Sequence, residues 1–401
     1  MFILTFGTVL PQLVTVSLTP FITRLYSPNA FGLFALFSAV SVVVSTFVTF
    51  RYEANILVAK NQSEAVAVSQ LGILLAFILG VFVLIVAYFV PKSVRSILSI
   101  ESLNGWFLVA CAVGIGMSLN NIGSILLNRA AKYLTMALAK VSQSFIFVAI
   151  ALVLGWLGTQ NGLLLAQTVS IIIILLFYCW VNRELANIEF NSVIKVAKKY
   201  SDSPIYGLPT ALLDVLTLQL PIILIGSLFS SEAAGQFSLA WRVLLLPASL
   251  VGVAIGQIFF QRFASVWPNS ESATLLLIKA WKVLALIGFG PLVIAVVFGR
   301  TLFCFVFGLE WEASGKMAQV LAPMLFFSLI HSPTSTAAVV LCLQRKVLFI
   351  AIAVAIYRPL SIYIGYLVDN IFVGLMLYVI FEVIQVVVFQ LMIYKSLRGS
   401  Q

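Results

Sequence analysis

Seven ionisable residues of this 401-residue chain lie within long apolar runs or close to their ends. In hydrocarbon a charged side chain costs at least about 2.5–3.5 kcal/mol, so such a residue is expected to face a polar interior or an opposite charge. We therefore treat the seven as candidates for lining a polar path between helices. They are Arg51, Glu53, Lys140, Asp214, Arg242, Arg358 and Glu382.

Five of these candidates also have a structural interpretation. Arg358 and Glu382 lie near the middle of their runs, where the alternative is an ion pair between two adjacent helices. Arg51, Glu53 and Lys140 lie toward the ends of their runs, where the alternative is that the side chains reach out to the headgroup region.

The signs of the charges indicate which ligand such a path would suit. Asp214 and Arg242 belong to the first two runs of the second half, beside the expected central cleft, and are the stronger pathway candidates. A cavity with arginines attracts anions such as a pyrophosphate, because the guanidinium is a planar fork of donors. A site for an organic cation would need carboxylates. Amides could add hydrogen bonds to sugar hydroxyls, although such residues also hold helices together. These amides are Gln12, Asn120, Gln219 and Gln257.

Membrane-spanning helices are the elements that must position these residues. Apolar residues make up 62% of the chain and charged residues 9%, against roughly 45–50% and 25% in soluble domains. The apolar residues form runs long enough to cross roughly 30 Å of hydrocarbon as helices, whose backbone groups pair internally. The pattern predicts an all-α integral membrane protein with twelve transmembrane helices. The predicted spans are about 3–22, 33–57, 70–90, 105–127, 136–156, 161–181, 206–229, 236–260, 281–307, 318–343, 347–367 and 371–393.

A short segment recurs half a chain later. The stretches LYSPNAFGLFAL at 25–36 and LFSSEAAGQFSL at 228–239 are identical at six of twelve positions and lie 203 residues apart. Both cover the loop between the first and second span of a six-span set. Since six is even, two such sets share one orientation, which predicts two six-helix lobes related by a parallel repeat. The predicted lobes are 1–181 and 204–401, with a cytoplasmic interfacial linker at 182–203.

The basic residues predict the orientation. Sixteen of the 23 Lys and Arg residues fall in the connections on one side and five on the other, which places both termini in the cytoplasm. The net charge of +10 is therefore mostly a topology signal. It also suits anionic membrane lipids and requires no nucleic acid. The five residues on the outer side are Arg24, Lys92, Arg95, Arg300 and Lys316.

The linker has a pattern of its own. Val193, Ile194 and Val196 alternate with lysines, which predicts a short amphipathic helix on the cytoplasmic face. Ser203 and Pro204 predict the start of the seventh span, with serine as the N-cap and proline at the first helical position.

We find no motif of an enzyme, a metal site or a cofactor site. The four cysteines lie in apolar runs and have the spacing of neither a metal site nor a disulfide framework. The nucleophile-elbow, zinc-protease and phosphate-loop motifs are missing, and the outer loops are too short for a catalytic domain. His331 is expected to be packed or hydrogen-bonded and not to relay protons. Residues 1–22 lack a signal-peptide pattern and are expected to form the first span.

Longer blocks of the chain resemble a known family. TRLYSPNAFGLFAL followed by FRYEANILVAK is similar to the first two helices of bacterial polysaccharide flippases. These are the O-antigen type transporters of the multidrug/oligosaccharidyl-lipid/polysaccharide exporter superfamily. The likeness continues through LPTALLDVLTLQLPIILIGSLFSSEAAGQFSLAWRVLLLPASLVGVAIGQIFFQRFA and FVFGLEWEASGKMAQVLAPMLFFSLIHSPTS, and it spans almost the whole chain.

The resemblance implies a fold and a substrate. It implies two six-helix lobes around a central cleft that opens alternately to each side of the bacterial inner membrane. The substrate would be an undecaprenyl-pyrophosphate-linked oligosaccharide, built on the cytoplasmic face and moved outward for polymerisation. Implied partners are this glycan, membrane lipids, a polysaccharide polymerase and a chain-length regulator. A basic cavity for the pyrophosphate or for acidic sugars would agree with Arg51 and Arg242.

Other functions stay open at this point. A drug/cation antiporter of the same superfamily would need buried carboxylates, and the first lobe offers only Glu53. A lipid II-type flippase is a closely related alternative. A membrane enzyme of polysaccharide assembly would need a large polar loop, which the chain lacks, and a non-transporting scaffold is the last alternative.

Overall fold

The computed structural model describes residues 2–91, 100–186 and 189–398. These residues are predominantly helical and contain no β-strand, which confirms the all-α class over the described part of the chain. Outside them lie Lys92, Arg95 and residues 187–188 of the predicted linker.

The described residues contain fourteen α-helices, which we number in chain order. The first seven are α1 (Phe2–Thr23), α2 (Pro28–Phe47), α3 (Gln62–Phe89), α4 (Trp106–Arg129), α5 (Tyr133–Trp156), α6 (Gly162–Val181) and α7 (Phe190–Lys199). The others are α8 (Leu208–Leu228), α9 (Ser231–Val266), α10 (Ser270–Phe307), α11 (Glu312–Thr334), α12 (Ala337–Val340), α13 (Gln344–Leu367) and α14 (Ile371–Arg398). Short helical turns at Tyr52–Ile56 and Ser203–Gly207 precede α3 and α8.

Ten helical segments in the described residues are long and apolar enough to cross a membrane. They match the second to the seventh and the ninth to the twelfth predicted spans. The first and eighth predicted spans coincide with α1 and α9, whose side chains are described only in part. Long apolar helices are thus the main feature of the fold, and they establish a multi-pass membrane protein.

The chain divides into two compact units, residues 1–235 and 236–401. In the first unit α1 packs on α5, α2 packs on α4 and on α8, and α4 packs on α3 and on α6. Within this unit α5 also packs on α6. In the second unit α10 packs on α11, while α14 packs on α11 and on α13. Three of these pairings recur at equivalent places in the two predicted lobes. In each lobe the third span packs on the fourth, the fourth on the sixth and the fifth on the sixth.

The two stretches of the sequence repeat meet within the first unit. A Cβ atom built on Gly235 would lie 2.8 Å from the nitrogen of Gly32 and would overlap the carbonyl oxygen of Pro28. A Cβ atom built on Gly32 would overlap the carbonyl oxygen of Ser231. Residues 28 and 231 are equivalent in the repeat, as are residues 32 and 235, so the contacts are reciprocal. Only glycine permits backbones to approach this closely.

The predicted amphipathic linker helix is present as α7. Its Val193 and Val196 are buried in a cluster with Tyr52 and Val68, while its lysines are exposed. The predicted cap of the seventh span is wrong. The helical turn already includes Ser203, and its hydroxyl accepts a hydrogen bond from Asn55 instead of capping the helix.

Candidate functional site

Two candidate residues lie on the turn that follows α2. The helix ends at Phe47, well before the predicted span end at residue 57. Phe50 and Arg51 then adopt left-handed backbone conformations, with φ of 48° and 65°. Such a conformation costs a non-glycine residue about 1–2 kcal/mol, and strained backbone of this kind concentrates at functional sites. The predicted helix over 48–57 is therefore wrong, and Arg51 and Glu53 lie on a strained turn.

The two charged side chains on this turn form an ion pair but differ in exposure. Arg51 Nη1 lies 3.3 Å from Glu53 Oε1. The carboxylate is buried, with 5% of its side chain exposed, whereas 45% of the Arg51 side chain is exposed. Since Glu53 engages only one nitrogen of an exposed guanidinium, Arg51 retains donors for a second anion. The other oxygen of Glu53 is buried with no hydrogen-bond partner among the described residues.

Arg129, at the end of α4, holds the segment that follows this turn. Its Nη1 donates to the carbonyl oxygens of Ile56 at 2.8 Å and Leu57 at 3.1 Å. Its Nη2 donates to the carbonyl oxygen of Ala59 at 2.7 Å. One guanidinium thus satisfies three carbonyls that no regular helix would pair, and it fixes the turn to α4.

The same turn is tied to the linker. Tyr52 Oη donates to the carbonyl oxygen of Ala197 at 3.1 Å. Asn55 Nδ2 donates to Ser203 Oγ at 2.6 Å. A Cβ atom on Gly207 would lie 3.5 Å from Cγ of Arg51, so the arginine stem packs beside the start of α8. The position of Arg51 therefore depends on residues about 150 positions further along the chain.

A second ion pair ties the linker to the start of α3. Lys199 pairs with Glu64, which also accepts from Tyr200 Oη at 3.2 Å and from the backbone nitrogen of Lys60 at 2.8 Å. The hydrogen bond to Glu64 raises the pKa of Lys199 above its usual value of 10.5. Beside the pair is an open groove of about 620 Å³, lined by polar and apolar residues at and near the starts of α3 and α7.

The second unit contains the ion pair expected between two adjacent spans. Arg358 of α13 donates from Nε to Oε1 of Glu382 of α14. Both side chains are largely buried, with 14% and 4% exposed. The guanidinium carbon also lies 5.8 Å from the centre of the Tyr378 ring. The expected pairing of Arg358 with Glu382 is confirmed, while their part in a transport path stays a prediction.

The remaining candidates lie on separate helices. Lys140 is half-buried in α5, and Asp214 is exposed on α8. Arg242 is half-buried and Gln257 is exposed, both on α9. The structure thus brings together two pairs of candidates, Arg51 with Glu53 and Arg358 with Glu382. Of the other amides, Asn120 donates to the carbonyl oxygen of Ile171 at 3.1 Å, which is the expected role of holding two helices together.

One polar network of the second unit was missed by sequence reasoning. Trp281 Nε1 donates to Gln390 Oε1 at 3.0 Å, and Gln390 Nε2 donates to Thr334 Oγ1 at 2.8 Å. The same amide nitrogen lies 3.2 Å from His331 Nδ1, and Phe389 packs edge-on to the imidazole. The packed, hydrogen-bonded histidine is confirmed. A lone glutamine in the run VVVFQLM was the available signal.

The described residues contain no group of three or more His, Cys, Asp or Glu side chains that could hold a metal ion. Their charged groups can bind anions through arginine and lysine and can pair across helices.

The chain matches one protein family. Residues 21–316 match the model of a family described as polysaccharide biosynthesis protein. A comparison with curated proteins finds no significant match.

Solved structures of transporters share the fold. The lipid II flippase MurJ in an inward closed conformation aligns with a TM-score of 0.76 at 13% identity, covering 100% of this chain and 90% of that one. A MOP superfamily transporter from Pyrococcus furiosus aligns at 0.60 and 17%, covering 100% and 94%. An inward-facing multidrug resistance MATE family transporter aligns at 0.61 and 15%, covering 99% and 98%. These identities show the fold alone.

Proposed function

Because the chain belongs to the polysaccharide biosynthesis protein family, whose model matches residues 21–316, we propose that it is a flippase. Its substrate is an undecaprenyl-pyrophosphate-linked oligosaccharide, which it moves across the bacterial inner membrane by alternating access. The family match is the observation that carries this proposal. The transporter fold supports it, since a flippase needs membrane-spanning helices that can rearrange around a lipid-linked substrate.

The proposal includes twelve spans in two lobes, 1–181 and 204–401, with both termini in the cytoplasm. Ten segments have the required length and apolar character, and α1 and α9 occupy the other two predicted spans. The recurring helix pairings and the reciprocal contacts of Gly32 and Gly235 support a parallel repeat.

Arg51 is the residue we assign to the pyrophosphate. Its exposed guanidinium is held by a buried carboxylate, Glu53, on a strained turn that Arg129 fixes in place. This arrangement presents a fork of donors at a defined position, which suits a phosphate group. Arg242, Lys140, Asp214 and Gln257 are proposed to line the rest of the pathway. The Arg358–Glu382 pair, in the second lobe of the protein, is proposed to border this pathway.

The carboxylates favour this reading over a drug/cation antiporter. Among the described residues the buried glutamates are Glu53 and Glu382, and each pairs with an arginine. The neighbouring guanidinium opposes the approach of a second cation to either carboxylate, because like charges repel.

Deletion of the gene tests the function. We expect lipid-linked oligosaccharide to accumulate on the cytoplasmic leaflet while surface polysaccharide disappears, with rescue by the intact gene. The Arg51→Ala variant should not rescue, whereas Arg345→Ala, which alters an exposed arginine in the first turn of α13, should rescue fully. Unchanged surface polysaccharide with new sensitivity to cationic dyes would instead identify a drug antiporter.

A further inference from the structure

Helix α7 presents two different apolar rows. One row, Val193 and Val196, is buried against α3 and the turn at Tyr52. The other row follows the i, i+4 spacing of one helix face and consists of Phe190, Ile194 and then Lys198. Phe190 and Ile194 are 64% and 55% exposed. The helix is therefore docked on the protein by one row and leaves a second apolar row uncovered within the described residues.

The charges beside the uncovered row are basic. Lys198 continues the row, and Lys195 lies one turn before Lys198, at the edge of the groove between α3 and α7; both side chains are exposed. The single acid at the start of the helix, Glu189, accepts from Ser192 Oγ at 3.1 Å. An apolar row bordered by lysines complements an anionic lipid surface, where the apolar side chains enter the acyl boundary and the lysines meet phosphates.

Neighbouring segments carry features of the membrane interface. Trp180, near the end of α6, is exposed, and the Arg183 guanidinium carbon lies 6.0 Å from the centre of its indole ring. Ile205 and Tyr206, just before α8, are exposed as well. Tryptophan and tyrosine at span ends mark the headgroup level. Residues suited to the headgroup level therefore lie on both sides of α7 in the chain, with Trp180 before it and Tyr206 after it.

We propose that α7 docks on the anionic phospholipids of the cytoplasmic leaflet. Phe190 and Ile194 insert at the acyl boundary, and Lys198 and Lys195 bind lipid phosphates. The buried row then connects this lipid contact to the turn of Arg51, because Tyr52 donates to Ala197 of α7. Anionic lipid thereby helps to position Arg51. This last step rests on the proposed flippase function, whereas the docking itself does not.

Hydrogen exchange of the full-length protein in lipid nanodiscs tests the docking. We compare discs of phosphatidylcholine alone with discs that contain about 30% phosphatidylglycerol, whose surface is negative. Peptides covering 190–199 should exchange more slowly in the anionic discs, by about fivefold for each lysine that meets the surface. The Lys195→Gln/Lys198→Gln variant should lose this difference. The control Lys132→Gln/Lys346→Gln, which removes two exposed lysines elsewhere, should keep it.

Three results would overturn the proposal. One is equal exchange in neutral and anionic discs, and another is a lipid effect that persists in Lys195→Gln/Lys198→Gln. The third is protection that rises with protein concentration in neutral discs, which would assign the row to a second copy of the chain. Hydrogen exchange needs no glycan, so failure of the docking and failure of the flippase function are separate results. If docking positions Arg51, glycan export should fall in the lysine variant and stay normal in the control.

Discussion

Gly32 and Gly235 occupy equivalent positions of the sequence repeat and pack against each other, backbone to backbone. Their neighbours are exchanged as well, since Gly235 meets Pro28 and Gly32 meets Ser231. In a two-fold contact, if a residue of one copy meets a second residue of the other copy, the equivalent pair with the copies exchanged meets as well. A short echo in the sequence therefore has a direct structural counterpart in the packing of two helix starts.

Replacing Gly235 with alanine should destabilise the protein. The new methyl group would overlap backbone atoms, which cannot rotate away as a side chain can. We expect a loss of about 1–3 kcal/mol, typical of overpacking, and a lower melting temperature in detergent. Gly290→Ala is the matched control, because nothing lies within 4 Å of a Cβ atom there. Equal melting of the two variants would contradict the close contact.

Two substitutions of Arg51 separate its backbone from its guanidinium. Arg51→Gly should melt higher than Arg51→Ala, since glycine adopts φ of 65° without the cost of about 1–2 kcal/mol. Both should lose export equally, by roughly 10- to 150-fold, if the guanidinium binds an anion through a charged hydrogen bond of about 1.5–3 kcal/mol. Export and melting of the purified variants supply the two measurements. Normal export by either variant would remove Arg51 from the site.

Arg129→Met should loosen the segment after α2. Three carbonyl oxygens lose their donor, and for the two part-buried ones, of Ile56 and Ala59, the cost of an unsatisfied buried group, about 1–3 kcal/mol, is an upper bound. Limited proteolysis should then cut faster between Tyr52 and Asn61, with a lower melting temperature. Lys132→Met, an exposed substitution nearby, should leave both unchanged. Unaltered cleavage in Arg129→Met would show that α4 does not hold the turn.

The Arg358–Glu382 pair predicts a rescue. Arg358→Met leaves a buried carboxylate without its partner and should cost about 3–5 kcal/mol, seen as low abundance in the membrane. Adding Glu382→Leu should restore abundance, since replacing both charges removes the unpaired group. Export by the stable double variant then decides the role of the pair. Full export would make the pair structural, and lost export would place it in the pathway.

Alkaline pH should weaken the tie between α7 and α3. The pKa of Lys199 is raised in the folded protein by its hydrogen bond to Glu64, so the stabilisation is complete below the ordinary value of 10.5. It is lost as the pH rises through the raised value. Melting measured between about pH 9 and 12 should show this loss, and Lys199→Gln should show less of it. An identical alkaline profile in that variant would exclude the tie.

The charges that could be predicted from the sequence are those in the middle of spans. Arg358 and Glu382 lie 24 residues apart on helices joined by a short connection, and both are near the middle of their spans, so the two can meet at a similar depth. The cost of a lone charge in hydrocarbon makes that pairing readable without a structure. The apolar face of α7 could also be predicted, because its valines recur at helical spacing.

The turn of Arg51 could not be predicted in the same way. Residues 48–57 contain neither glycine nor proline, and the left-handed conformations at Phe50 and Arg51 leave no signal in the sequence. Arg129 was missed because its acceptors are backbone carbonyls, which every residue has. Ser203 was assigned as a cap because it precedes Pro204. Its actual partner, Asn55, is 148 positions away in the chain and leaves no local signal.

The buried ion pair also has a consequence for how the chain enters the membrane. Helices α13 and α14 end and begin at Leu367 and Ile371, so they form a hairpin with a three-residue connection. Either helix alone would carry an unpaired charge into lipid. We therefore expect the two helices to enter the membrane as a pair, because joint insertion spares each charge the cost of about 2.5–3.5 kcal/mol of entering lipid alone.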